Sequence, residues 1–316
     1  MQIIIEQILV LALISIIGLI AFKLKAITKE NNAGLVKVIL KITLPILIFT
    51  TFANTNLDKE IIQNFPIVFI SAIISVSLLF FLSNISSKFL KLDKENKALH
   101  NAHTMFGNTV FLGFPLLDAL FPGGEGLIYA TIFQLAHDSL MWTWGVLIMS
   151  KAANKTSEKV NKKHLLNPIT LSFVIGLIFM IFKIRIPSLA LKPLLGIGHT
   201  TIYISMIYVG AVLAQAKLKP LIQNLRSYVL SFNKLIFAPL ILAFILILFK
   251  NFGLHISNTA LICAVLQTAM PCMIIISVLA EDLGLNAKQA VENILVSSVL
   301  SIFTLPLIYW LISIFL

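Results

Sequence analysis

Charge is scarce in this sequence. Only 12% of its 316 residues are Asp, Glu, Lys or Arg, about half the share found in ordinary soluble domains. Carboxylates are the rarer kind, 13 against 24 Lys and Arg. Cysteine is nearly missing as well. Cys263 and Cys272 are too few for a disulfide framework, match no metal spacing, and read as small buried apolar residues. There is no GxxxxGK[ST] loop, no HExxH pair, and no soluble stretch long enough to house an ATP-binding domain. ATP-driven pumping and enzymatic catalysis therefore lack their usual parts, and no cofactor is implied. His100 and His103, three apart, stand without a paired Cys or carboxylate, so no metal is expected.

What fills the chain is hydrocarbon: 59% hydrophobic residues, in long runs rather than amphipathic stripes. Its solvent is membrane lipid. The net charge of +11 does not indicate nucleic acid, because the lysines lie in short connections where they set topology. The first 22 residues lack a basic leader and a small-residue cleavage site. Lys23, Lys25 and Lys29 follow the apolar run, which predicts a retained first helix rather than a signal peptide.

Windows of roughly 20 apolar residues give ten expected spans: 3–22, 35–53, 65–87, 100–120, 126–149, 168–184, 194–214, 228–249, 257–281 and 289–315. Counted with the span ends that flank them (Lys37, Lys41 and Lys183), connections after the odd-numbered spans hold 18 Lys and Arg, and those after the even-numbered spans hold 5. Positive loops stay in the cytoplasm. Both termini are therefore expected outside a cytoplasmic (inner) membrane, with the polar, basic linker 151–166 inside it. That linker separates residues 1–150 from 167–316, five spans on each side. An odd number of spans per half inverts the second half, so the expected fold is all-α, a 5+5 inverted repeat.

The fourth and ninth spans are wrong for plain helices. Gly107, Asn108, Thr109, Gly113 and Pro115 crowd the middle of one, and Pro271 interrupts the other. Proline removes an N–H and crowds the carbonyl four residues back, freeing backbone groups that lipid cannot satisfy. Broken spans at matching places in two halves mark the substrate sites of secondary transporters. They are expected to cross at the midplane near Pro115 and Pro271. Half-helix N-termini meeting there would hold a carboxylate without a lysine nearby. Two proline kinks buried in a helix bundle are the alternative.

These segments also carry a family resemblance. GNTVFLGFPLL (107–117) resembles the fourth-span signature of the auxin efflux carrier family, which joins plant auxin exporters and bacterial permeases. ITLPILIFTTFAN (42–54) is similar to that family's second span, and Asn167-Pro168 to its sixth-span start. AMPCMIIISVLAEDLG (269–284) and LVSSVLSIFTLPL (295–307) are similar to its ninth and tenth. The match runs along essentially the whole chain. It implies a scaffold domain, a transport domain holding the crossed helices, and movement of organic anions, often dicarboxylates or related acids in bacteria. One departure stands in the seventh span: many members have a proline about seven residues before its glycine, where this chain has Tyr203 before Gly210.

Asn108 is the first choice for substrate contact, since its amide donates to a carboxylate and adds no charge to an empty site. The resemblance implies the same role for the asparagine of the N-T-x-x-x-G-x-P pattern, here Asn108, Thr109, Gly113 and Pro115. An interhelical hydrogen bond is the alternative. Asp138 is an ionisable residue in mid-span, a functional hypothesis by default. It would carry a coupling proton or help to hold Na⁺, or else pair structurally with His103 or a nearby hydroxyl. His137 is its neighbour in sequence and faces about 100° away, so the two do not easily share a ligand; it is the next candidate for a proton route. Gln267 and Thr268 precede Pro271 as polar counterparts in the ninth span. Asn167 either caps the sixth helix or, by the resemblance, joins the site. Asp118, Glu281 and Asp282 read as solvated carboxylates near span ends.

The expected activity is secondary transport of a small organic anion, a mono- or dicarboxylate, by alternating access, with H⁺ or Na⁺ as the coupling ion. A Na⁺-coupled symporter or a cation/proton antiporter of the same architecture is the runner-up, and a channel or receptor follows. A homodimer is compatible with this reading.

Overall fold

Apolar runs of this length dictate helices, because in lipid each backbone polar group must be satisfied within its own segment. The computed structural model describes residues 2–55, 59–154, 168–215 and 224–316, and among them every regular element is helical. Twelve helical runs follow in order. They are α1 (Gln2–Lys23), α2 (29–54), α3 (Lys59–Phe89), α4 (Lys94–Met105), α5 (Thr109–Leu120), α6 (125–152), α7 (Pro168–Ile181), α8 (Ser188–Ala214), α9 (Leu225–Asn251), α10 (Asn258–Thr268), α11 (Ile275–Leu283) and α12 (Ala287–Ile314). Five stretches are long and apolar enough to cross a membrane: Gly34–Asn54, Lys59–Phe89, Ser188–Ala214, Leu225–Asn251 and Ala287–Ile314. Shorter apolar helices include Thr109–Leu120, Pro168–Ile181 and Asn258–Thr268. The chain is a multi-pass membrane protein.

Three prolines shape the long runs by one mechanism. Pro45, Pro115 and Pro239 each sit in the first turn after a π-helical turn: Ile39–Thr43, Thr109–Gly113 and Asn233–Phe237. The proline ring excludes the carbonyl four residues back, and in each case that carbonyl belongs to the π turn. The widened turn hydrogen-bonds five residues back instead, as in Leu44 N–H to Ile39 O, Gly113 N–H to Asn108 O and Ala238 N–H to Asn233 O. The helix thus passes the proline without breaking, at the cost of one residue of register. Such turns often lie at functional sites.

The helices pack in two groups. In the first, α1 lies along α8 while α2 packs on α7 and α8. Glycine sets the closeness of the α1–α8 pair. A Cβ on Gly18 would enter the Ile207 carbonyl, and one on Gly210 would enter the Ser15 carbonyl. Small residues let membrane helices approach in this way, where lipid supplies no hydrophobic drive. Tyr203, in the place of the family's proline, is exposed in the middle of an unbroken α8. In the second group α3 packs on α4 and α6, α10 on α6, and α9 on α12. Asp93 caps α4 by accepting the Asn96 N–H at 2.9 Å. The groups meet where α1 touches α5 and α12 and where α2 touches α6. Asp118 belongs to this seam: instead of standing free in solvent it lies 3.8 Å from His199 of α8.

Candidate functional site

The two broken spans meet between the groups, and their meeting point is built from backbone. The chain leaves α4 through the non-helical residues Phe106, Gly107 and Asn108. It leaves α10 through the non-helical residues 270–273. Gly107 and Cys272 face each other as an isolated antiparallel β-bridge. Asn108 N–H donates to Pro271 O at 2.7 Å, and Met273 N–H donates to Phe106 O at 3.2 Å. Each interrupted segment thus satisfies backbone groups the other cannot pair alone, the condition for non-helical backbone at such depth. In the fourth span the crossing falls at Gly107 rather than at Pro115, and in the ninth it falls at Pro271 and Cys272. Pro115 lies eight residues past Gly107 in the restarted helix, its steric demand already absorbed by the π turn.

Side chains lock this crossing. Gly107 N–H donates to His137 Nε2 at 3.1 Å. Because an amide only donates, Nε2 must be the bare acceptor, and the neutral ring carries its proton on Nδ1. That nitrogen stands 3.7 Å from Asp138 Oδ1, beyond hydrogen-bond reach. Cys272 N–H donates to Ser297 Oγ of α12 at 3.0 Å. Asn108 Oδ1 accepts Phe111 N–H at 3.2 Å and so caps the start of α5. The Asn108 NH₂ is left with no partner among the described residues.

Two cavities flank Asn108. The larger, about 250 Å³, lies between α1, α8 and α12, and its wall is almost wholly apolar apart from Asn108, Ser15, Ser298 and Ser301. The other, about 190 Å³, lies against α2 and α7 and is lined by Lys41, Asn108, Thr109, Gln134, Asp138 and Trp142, among others. Thr109 Oγ1 donates to Gln134 Oε1, which fixes both polar side chains on that wall. The structure therefore brings Asn108, Thr109, Asp138 and Pro271 to cavity walls. Gly113 and Pro115 stand behind them. Gln267 is packed against Gly113, and its amide has no hydrogen-bond partner among the described residues. Thr268 Oγ1 is turned back onto Ala264 O at 2.9 Å. Asn167 lies outside the described residues, as does most of the linker 151–166.

His100 and His103 do not converge. His100 Nε2 is 2.7 Å from Ser86 Oγ on α3, and His103 Nδ1 accepts from Asn293 Nδ2 of α12 at 3.1 Å. Cys263 and Cys272 are buried free thiols.

Sequence reasoning passed over three residues. Lys41 and Gln134 line the polar cavity. Lys234 is 1% exposed and donates to Thr104 O at 2.9 Å. Its sequence signal was available: an ionisable residue inside an apolar span is a functional hypothesis by default. The loop inventory of basic residues leaves it out because it stands in no loop.

A helical membrane chain with a backbone crossing between two cavities has the construction of a membrane transporter. The model of the family described as membrane transport protein matches residues 3–309, so the chain belongs to that family, the auxin efflux carrier family of the sequence motifs. It is 25% identical over 303 residues to an uncharacterized transporter of Methanothermobacter thermautotrophicus, covering 96% of each chain. An uncharacterized transporter of Methanocaldococcus jannaschii is 23% identical over 312 residues, covering 97% of this chain and 98% of the relative.

Proposed function

We propose that this protein is a secondary transporter that moves a small organic anion across the cytoplasmic membrane by alternating access. In this reading α4–α5 and α10–α11 are each one broken span. Ten spans then form a 5+5 inverted repeat about the linker 151–166, with both termini outside. The group of α1, α2, α7 and α8 is the scaffold, and the group holding the crossover is the part that moves. The observation carrying this reading is the free Asn108 NH₂ at a backbone crossing with a cavity on either side of it. An amide donor placed there suits a carboxylate, and a site exchanged between two cavities suits alternating access. Thr109, Gln134 and Pro271 shape the walls around it. Asp138, at the polar cavity, is the candidate carrier of a coupled proton. His137 holds the crossing through Gly107, which ties the ring's position to the crossing's.

A panel of mono- and dicarboxylates tested for thermal stabilisation of the purified protein, with and without Na⁺, checks the reading. Stabilisation by at least one carboxylate and by no organic cation is the expected result. Stabilisation by amines or metal cations alone would overturn it.

A further inference from the structure

Lys234 is a fully buried ammonium with no carboxylate within ion-pair distance among the described residues. Its bond to Thr104 O is made to the last turn of α4, just before the chain unwinds at the crossing. A helix C-terminus carries partial negative charge. In carriers built on broken helices, such ends and the unwound carbonyls beside them coordinate Na⁺. The opposite side of this position is the crossing itself. A Cβ placed on Gly107 would lie 3.4 Å from the Lys234 Nζ, and Gly107 lines the polar cavity. The lysine therefore reaches the crossover from behind, beside Met270 Cβ and O at 3.2 Å from the same point, with the Gly107 backbone between it and the cavity. Its position is set by the π turn Asn233–Phe237 that Pro239 requires. The titratable groups that face it are His103 of α4, His137 of α6 and Cys272.

Burying a charge without a partner is expensive, and an apolar side chain of similar volume is often as stable or more so. A stationary anion in contact would solve this, and none lies within ion-pair distance of it among the described residues. A mobile anion solves it on each cycle. We propose that the Lys234 ammonium is a tethered cation at the crossover, taking the position a coupling Na⁺ takes in other broken-helix carriers and supplying the counter-charge for the bound carboxylate. This inference rests on the organic-anion reading above. Lys234 then offsets one negative charge of the bound anion. The chain then needs no Na⁺.

The test uses the purified full chain and choline salts of acetate, benzoate, succinate and malate. Thermal shifts are compared in NaCl and in choline chloride at matched ionic strength. In wild type, at least one carboxylate should raise the Tm equally in the two salts. Lys234→Met should keep or raise the unliganded Tm while weakening the apparent carboxylate affinity at least about tenfold. In Lys234→Ser, which leaves a hole beside Thr104 O, Na⁺ but not choline should restore part of the shift. A wild-type shift that requires Na⁺ overturns the proposal, and so does a Lys234→Met response equal to wild type. The wild-type comparison decides the matter even where a variant does not fold. Silence of wild type to every carboxylate would instead strike the organic-anion reading, and the proposal with it.

Discussion

Asn108 does two jobs with one side chain. Its oxygen caps α5, its NH₂ is left to donate, and the residue lines both cavities. Asn108→Ala removes both, and the two losses separate by measurement. The cap contributes about 1 kcal/mol of stability. A donor to a charged group contributes about 1.5–3 kcal/mol, or roughly ten- to a hundredfold in affinity. Carboxylate titration should therefore show a far larger loss than thermal melting. A large loss of folded protein with normal binding in the remainder would make Asn108 structural. Asp138 permits a cleaner separation, because Asn keeps its size and cannot titrate. If it carries the coupled charge, Asp138→Asn abolishes accumulation driven by a proton gradient in proteoliposomes yet preserves substrate exchange. Accumulation needs a second charge to cross, whereas exchange needs only the loaded carrier to reorient. Equal accumulation by variant and wild type would remove Asp138 from the mechanism. At this scale the sequence was legible where chemistry is local: an amide among glycines and a carboxylate in an apolar run. Lys41 and Gln134 were not legible, since only the packing of α2 against α6 turns them to one cavity.

At the scale of elements, the prolines announced that the fourth and ninth spans are irregular; Pro271 lies in the unwound stretch of the ninth, whereas Pro115 misplaces the opening of the fourth. A lone sequence reads Pro115 as the break. In the structure the backbone opens at Phe106–Asn108, where Gly107 admits the bridge to Cys272 and the Lys234 ammonium behind it. Proline fits the first turn of a helix well, so Pro115 marks the restart instead of the gap. Which residues pair across a crossing is set by the partner span, and no local pattern encodes that. The π turns suggest a sharper experiment. Pro239→Ala lets Asn233–Phe237 relax to α geometry, and one residue of register turns a helix by about 100°. Lys234 would then leave the Thr104 carbonyl. Stability should hold or rise, since a helix interior gains an N–H, while carboxylate uptake falls. Undiminished uptake would mean that the turn does not position Lys234.

For the whole molecule, the division into two groups meeting along a seam was legible only through the family resemblance. The helix type itself followed from composition. The topology rests on the 18-to-5 asymmetry of loop charge, and it is open to direct labelling. Both native cysteines are buried, so background reaction with a membrane-impermeant maleimide should be low. Lys155→Cys should stay protected in intact cells, while a cysteine appended after Leu316 reacts. External labelling at 155, or a protected C-terminus, would sink the ten-span arrangement.

The bridge between Gly107 and Cys272 has a consequence for synthesis. Its partners are separated by about 165 residues of chain. At roughly 5–20 residues per second, a ribosome needs on the order of ten seconds to deliver the second after the first. Through that interval the amide of Asn108 and the carbonyl of Phe106 have left one helix and have no partner to receive them. The nascent first half must wait beside water or an insertion factor, and it cannot settle into lipid until its counterpart has been translated.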